Sequence, residues 1–151
     1  SHYGLTDVTD TWKPCELFPF SHLIKQGKLD AVMTAHIFNR NIDKTLPATL
    51  SHEILTTLLR EKMGFNGVIL TDDMYMQGIV DNYAIEDAIA LAINAGADML
   101  VMGNNITTGY EPDRPFKVVQ MIVDAVKAGK ISAERLRESY ERIKILKKRL
   151  K

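Results

Sequence analysis

The chain has 151 residues, 46% of them hydrophobic and 25% charged, with 19 basic and 19 acidic side chains. That is globular composition, with enough length for one core that buries roughly two-thirds of the unfolded surface. A formal charge of zero, with basic residues gathered only in the last helix, offers no long-range attraction to nucleic acid or an anionic membrane.

Residues 1–28 read as a polar loop followed by a short helical segment around Phe20, Leu23 and Ile24, entered near Pro19. The chain opens on Ser1-His2-Tyr3 with no initiator Met and no secretory signal, as a processed product or a fragment would. Cys15 is the one cysteine, which excludes an internal disulfide and a multi-cysteine metal site; it reads as a structural thiol rather than a nucleophile. A strand–helix alternation then repeats three times. Leu29–Ile37 is an apolar run of the kind found in a buried strand. Ser51 is a good N-cap for a helix whose Ile54, Leu55, Leu58 and Leu59 recur on one face.

Gly67–Thr71 is the second strand, and Ala84–Asn94 a small-residue helix suited to close packing on a sheet. Gly96 ends that helix in a left-handed cap. Ala97–Met102 is the third strand, far short of the ~20 residues that span a bilayer. The third helix begins around Pro115, where a missing N–H costs nothing. A final helix starts at Ser132, with Ile131 and Leu136 as a hydrophobic staple and a stripe of Leu136, Tyr140, Ile143, Leu146 and Leu150. Its basic end, Lys147, Lys148, Arg149 and Lys151, suits the negative pole of a helix.

Consecutive strand–helix–strand units give parallel strands with right-handed crossovers. Three such strands would be apolar on both faces, yet only one helix layer follows, and both edges would stay open. The repeat suits a (β/α)8 barrel, but a whole barrel takes about 250 residues. The expected fold is therefore α/β: the C-terminal three βα units of a TIM-type barrel plus a C-terminal helix, with the N-terminal half absent. The alternative is a small doubly wound sheet, with a fourth strand hidden in residues 1–28.

In either architecture, functional groups gather at the carboxyl ends of strands. Here those ends read Thr34-Ala35-His36, Thr71-Asp72-Asp73-Met74 and Met102-Gly103-Asn104-Asn105. Two adjacent carboxylates at a strand end repel, which a desolvated cleft makes costly without a functional return. Asp72 can serve as nucleophile, general base or metal ligand; a helix cap plus a surface acid is the plain alternative. His36 is a satisfied core histidine or a catalytic one. Asn104 and Asn105 are loop formers, and Met74 and Met76 packing residues. Retaining glycoside hydrolysis, Mg²⁺-assisted phosphoryl transfer with a receiver-like switch, and a non-catalytic scaffold all fit these parts. The receiver pattern is disfavoured, because only two strands run up to Asp72 and no Lys follows Met102 at the required place.

Five collinear segments carry a resemblance: Asp30–Ile37 (DAVMTAHI), Leu46–Ser51 (LPATLS), Leu59–Gly67 (LREKMGFNG), Val68–Met76 (VILTDDMYM) and Ala95–Leu100 (AGADML). Together they resemble glycoside hydrolase family 3, in its β-N-acetylhexosaminidase branch. Ser1–Leu5 (SHYGL) and Glu16–Ile24 (ELFPFSHLI) fit the stretch just after that family's catalytic loop. The resemblance implies a retaining exo-β-N-acetylglucosaminidase that removes terminal GlcNAc, with Asp72 as nucleophile and Asp73 orienting or hydrogen-bonding nearby. It implies His2 as acid/base, since this branch uses a histidine beside a serine on a mobile loop. A neutral imidazole avoids a second negative charge beside the nucleophile.

The Asp that would precede Ser1 in that branch is missing from this sequence, as is the Lys-His-Phe-Pro-Gly-His-Gly segment that contacts the amino sugar. The expected partner is a GlcNAc-containing glycan or muropeptide of the cell wall, in peptidoglycan recycling, with no metal or organic cofactor. The chain ends soon after its amphipathic helix, as in cytoplasmic members of the family. Taken alone, the 151 residues are expected to be inert, or to pair with the other half of the barrel or with themselves. A phosphorylase with the same nucleophile is the close chemical alternative.

Overall fold

The structure is a computed structural model that describes residues 5–104 and 110–149. Strand β1 (Thr6–Asp7) is followed by helix α1 (Phe18–Lys25), β2 (Ala31–Met33), β3 (Ile37–Phe38) and a helix of π winding, Glu53–Lys62. Strand β4 (Val68–Asp73) then leads through α2 (Gln77–Val80) and α3 (Ile85–Ala95) to β5 (Met99–Val101), α4 (Arg114–Lys127) and α5 (Ala133–Arg149). Strands β2, β4 and β5 form one parallel sheet in the order β2-β4-β5, with Met33 opposite Leu70 and Leu70 opposite Met99. This is the expected α/β arrangement of three parallel βα units closed by a helix.

The first strand is not the single run from Leu29 to Ile37. It leaves the sheet after Thr34, whose N–H still reaches the Leu70 carbonyl at 2.9 Å, and re-pairs at Ile37–Phe38 with β1. Between the two stretches His36 turns inward and is fully buried. A strand does lie within residues 1–28, but it pairs with β3 and not with the main sheet. The helix after Ser51 is π-wound, and α2 is a short helix that no apolar periodicity announces.

The helix starts follow their caps. Ser51 Oγ accepts the Ile54 N–H at 3.1 Å and donates to Asp43 Oδ2 at 2.6 Å, while Ser132 Oγ accepts the Arg135 N–H at 3.1 Å. Gly96 holds φ at +124°, beyond the usual left-handed well, and a Cβ there would meet Thr56 Oγ1 at 2.8 Å. Helix α3 packs its alanines, Ala88, Ala92 and Ala95, into a core with Leu55, Phe65, Ile69 and Ile79. Small side chains let the helix axis approach the sheet closely. Its other side meets α4 and α5 through Ile89, Ile93, Val118 and Ile131. The helices thus cover one face of the sheet. On the opposite face Met33 and Met99 are 58% and 42% exposed.

Helix α5 docks through most of the expected stripe, with Leu136, Ile143 and Leu146 half-buried, and leaves Tyr140 out. Leu136 packs beside buried Ile131 as a staple should, but Tyr140 is 60% exposed and Leu150 lies outside the described residues. Arg135, Ser139 and Arg142 turn inward as well, i, i+4 and i+7 along the helix, and all reach the Asp98 carboxylate.

The Asp98 side chain is fully buried and salt-bridged to Arg60 at 2.6 Å and to Arg135 and Arg142 at 3.2 Å each. It also accepts the Ile69 N–H at 3.0 Å and the Ser139 hydroxyl at 2.8 Å. Burial pushes this carboxyl up, but the Ile69 amide, the Arg60 charge and the Ser139 and Arg135 bonds outweigh it and hold it below its ordinary 3.8. A depressed folded-state pKa contributes stability that is present above the unfolded value and lost as pH falls through the folded one.

Asp98→Asn leaves the Arg60 guanidinium without its counter-charge and Arg135 and Arg142 with only Glu138, and is expected to cost about 3–5 kcal/mol in urea unfolding at neutral pH. Because only wild type loses the Asp98 contribution, the two proteins should converge in stability as pH drops below about 4. A gap that stays constant down to pH 2 would show that the carboxylate charge is not what holds α5.

Candidate active site

The carboxyl end of β4 gathers the acidic pair and the buried histidine. The β4–β5 register shifts there: Leu70 faces Met99, but Asp73 faces Val101, so β4 carries one extra residue. Thr71 Oγ1 fills the gap by accepting the Val101 N–H at 3.0 Å. Such a bulge re-aims the side chains around it. Asp72, like Leu70, is half-buried, whereas Thr71 between them is fully buried.

The two carboxylates are treated differently. Asp73 Oδ1 accepts two backbone N–H groups, from Gly103 at 2.7 Å and Tyr75 at 3.0 Å. Asp72 Oδ1 accepts one, from Asp73 at 2.8 Å, and its Oδ2 takes no hydrogen bond from any described residue. Asp73 Oδ1 is thus held by two backbone amides and Asp72 Oδ1 by one; neither Oδ2 takes a hydrogen bond from a described residue, but that of Asp73 is packed against Gly103, which leaves Asp72 with one anchored and one open oxygen. That is the form required of a nucleophile or general base.

Gly103 makes the approach possible. A Cβ at this position would fall 2.0 Å from Asp73 Oδ2, so any other residue would push the carboxylate off its amides. The Gly103 carbonyl in turn accepts Arg114 Nη1 at 2.6 Å. The buried Arg114 guanidinium lies over the Tyr75 ring, 4.3 Å from its centroid, a cation–π contact. Burial raises the Tyr75 phenol, and the Arg114 charge opposes that rise. Asn104 does more than permit a turn: its amide donates to the Glu111 carbonyl at 2.7 Å and accepts the Glu111 N–H at 2.9 Å, clasping residues 104 and 111 together.

His36 is fully buried at the same end. Its Nδ1 is 2.9 Å from Thr49 Oγ1, and its Nε2 is 2.9 Å from the Asp73 carbonyl. The structure therefore brings Asp72, Asp73 and His36 together. His2 and Asn105 lie outside the described residues. Met74 and Met76 are buried packing residues, as expected, and Cys15 is exposed. No cluster of three or more His, Cys, Asp or Glu side chains suited to a metal occurs among the described residues. Nor is any described helix long and apolar enough to cross a membrane. Sequence reasoning missed Gly103, Thr49 and Arg114. A glycine directly after a strand that neighbours an acidic strand end was the available signal for the first.

The family model for the Glycosyl hydrolase family 3 N terminal domain matches residues 1–146. The chain is 34% identical over 164 residues to beta-hexosaminidase A of Pseudoalteromonas piscicida, an alignment covering 99% of this chain and 27% of that protein. It is 42% identical over 108 residues to a beta-hexosaminidase of Tolumonas auensis, covering 70% of this chain and 32% of that one. The solved glycoside hydrolase family 3 beta-N-acetylglucosaminidase from Paenibacillus superposes with a TM-score of 0.84 at 31% identity, over 99% of this chain and 28% of its own. Beta-glucoside phosphorylase BglX superposes with a TM-score of 0.79 at 26% identity, over 99% and 27%. The chain spans about a third or less of the length of these relatives. With the matched segment running through nearly all of its sequence and onto a TIM-barrel-type fold, the chain belongs to glycosyl hydrolase family 3.

Proposed function

We propose that this chain supplies the C-terminal βα units of the catalytic barrel of a retaining exo-β-N-acetylglucosaminidase, with Asp72 as the nucleophile. The observation that carries the reading is the open Oδ2 of Asp72 at the end of β4, in a chain of this family whose relatives are named beta-hexosaminidase. In the first step Oδ2 attacks the anomeric carbon, the glycosidic C–O bond breaks, and the leaving oxygen takes a proton from His2. In the second, His2 accepts a proton from water, water oxygen bonds to the anomeric carbon, and Asp72 departs as carboxylate with configuration retained. The substrate is a glycan or muropeptide with terminal GlcNAc, processed in the cytoplasm during cell-wall recycling. The described part of the chain offers one wall of the sugar site, and the remaining strands of a barrel would complete it.

A second reading rests on the likeness to the phosphorylase BglX. The first step is unchanged, and inorganic phosphate replaces water in the second. The product is then the sugar 1-phosphate.

With the remaining strands of the barrel present, mass spectrometry after exposure to a fluorinated N-acetylglucosaminyl inactivator, followed by peptide mapping, is expected to find one glycosyl adduct on Asp72. Asp72→Asn should lower hydrolysis of an aryl β-N-acetylglucosaminide by about 1,000-fold or more. An adduct on another residue, or activity retained by the variant, would sink the nucleophile assignment. Product analysis in phosphate buffer separates the two readings: free GlcNAc supports the hydrolase and GlcNAc 1-phosphate the phosphorylase.

A further inference from the structure

The contacts of His36 fix its tautomer. A carbonyl oxygen can only accept, so the 2.9 Å contact to the Asp73 carbonyl requires a proton on Nε2. The ring is fully buried and both its hydrogen-bond partners are uncharged, and a neutral imidazole carries one ring proton. In that form Nδ1 can only accept, so the Thr49 hydroxyl donates to it across 2.9 Å. Thr49 has then spent its single proton. At the 2.8 Å contact with Thr34 Oγ1 it must accept, and Thr34 donates. The chain of bonds has one direction: Thr34 to Thr49 to His36 to the Asp73 carbonyl.

That last bond lands on the residue whose own N–H holds the candidate nucleophile. The Asp73 carbonyl takes His36 on one lone pair and the Met76 N–H, at 3.0 Å, on the other. Its carboxylate is fixed by Gly103 and Tyr75, and the next amide, Met74, is tied to the Val101 carbonyl at 3.0 Å. With the peptide after it and the side chain both pinned, residue 73 has one backbone orientation. Its N–H points at Asp72 Oδ1.

Resting on the nucleophile assignment above, we propose that His36 is a positioning residue: locked as the Nε2–H tautomer, it holds Asp73 so that the Asp73 N–H occupies Oδ1 of Asp72 and leaves Oδ2 to attack. The hydrogen bonds of the ring go to Thr49 and the Asp73 carbonyl, and not to the carboxylate of Asp72. The ring acts through the Asp73 backbone. A small misplacement of an attacking oxygen costs up to about 100-fold in rate, which sets the size of the effect.

Two amide replacements test this, because each keeps one half of the imidazole. In His36→Gln the amide nitrogen lies near the position of Nε2 and can still donate to Asp73. In His36→Asn the amide reaches only as far as Nδ1, so the Thr49 contact survives and the Asp73 bond is lost. Both remove the ring, and because Asn is one methylene smaller, thermal melts of the two variants report the packing loss separately from the loss of the Asp73 bond. In the intact protein, His36→Gln is expected to keep kcat within about threefold of wild type. His36→Asn should lose about 100-fold in kcat with KM little changed, and label correspondingly slowly with the inactivator. Equal kcat values for the two variants, whether both normal or both poor, overturn the proposal. Long-range ¹H–¹⁵N spectra of His36 give a readout separate from turnover. The Nε2–H pattern is expected, and the Nδ1–H pattern overturns the brace even in an active enzyme. If the spectra show Nε2–H but the wild-type protein cleaves no β-N-acetylglucosaminide, the fault lies in the proposed function and the orienting role falls with it.

Discussion

The fold is organised around a carboxylate that water does not reach. Asp98 stands at the head of β5, and three guanidinium groups, one hydroxyl and one backbone amide converge on it. Burying such a charge is unfavourable unless every lone pair finds a donor, and here donors come from the π-wound helix, from β4 and from α5. Arg60 extends the set by donating to the carbonyls of Gly67 and Gly96, each at 3.1 Å. One guanidinium therefore closes the loops entering β4 and β5 at once. Helix α5 is held by this polar stripe as much as by its staple, which explains why Tyr140 is left in solvent.

This constraint at the amino end of the sheet has a consequence at the carboxyl end. Asp98 takes the amide of Ile69 with its side chain and gives its own N–H to the Ile69 carbonyl at 2.7 Å. The start of β5 is thereby set against β4, and Leu70 faces Met99. The extra residue of β4 must be absorbed beyond that point. It is taken up at Thr71, after which Asp73 faces Val101 and the Gly103 amide arrives beside the Asp73 carboxylate. Stability is concentrated at one end and the candidate chemistry at the other, the usual division in barrels of this kind.

What the sequence disclosed follows from the range of the forces involved. Strands β4 and β5, helices α3 and α4, and the caps at Ser51 and Ser132 depend on neighbours a few residues away, and periodicity and cap chemistry reveal them. The acidic pair was legible because a charge at the end of an apolar run is locally anomalous. Asp98 was not, because it sits inside an apolar run and its partners Arg60, Arg135 and Arg142 lie 38, 37 and 44 residues away. The break after Thr34 is hidden for the same reason. Local preference favours a continuous strand, but His36 gains two hydrogen bonds by leaving it, and their partners lie 13 and 37 residues along the chain. Gly103 carries only the weak signal of a glycine directly after a strand, since its missing Cβ matters only once β5 lies against β4.

The face that the helices leave uncovered links packing to chemistry. Met33, Met99 and Val101 are exposed there, at a third or more of their surface, and Asp72 is half-buried at the carboxyl end of the same sheet. A layer over this face would remove apolar surface from water, at roughly 25 cal/mol per Å² of area buried. The same layer would strip water from Oδ2 of Asp72, strengthening every electrostatic interaction at that oxygen. The Asp73 amide on Oδ1 would keep the desolvated carboxylate bonded. Closing a barrel around this sheet would thus serve the core and the proposed nucleophile by one act of burial. The proposed brace through His36 and Gly103 would let Asp72 meet that burial already aimed.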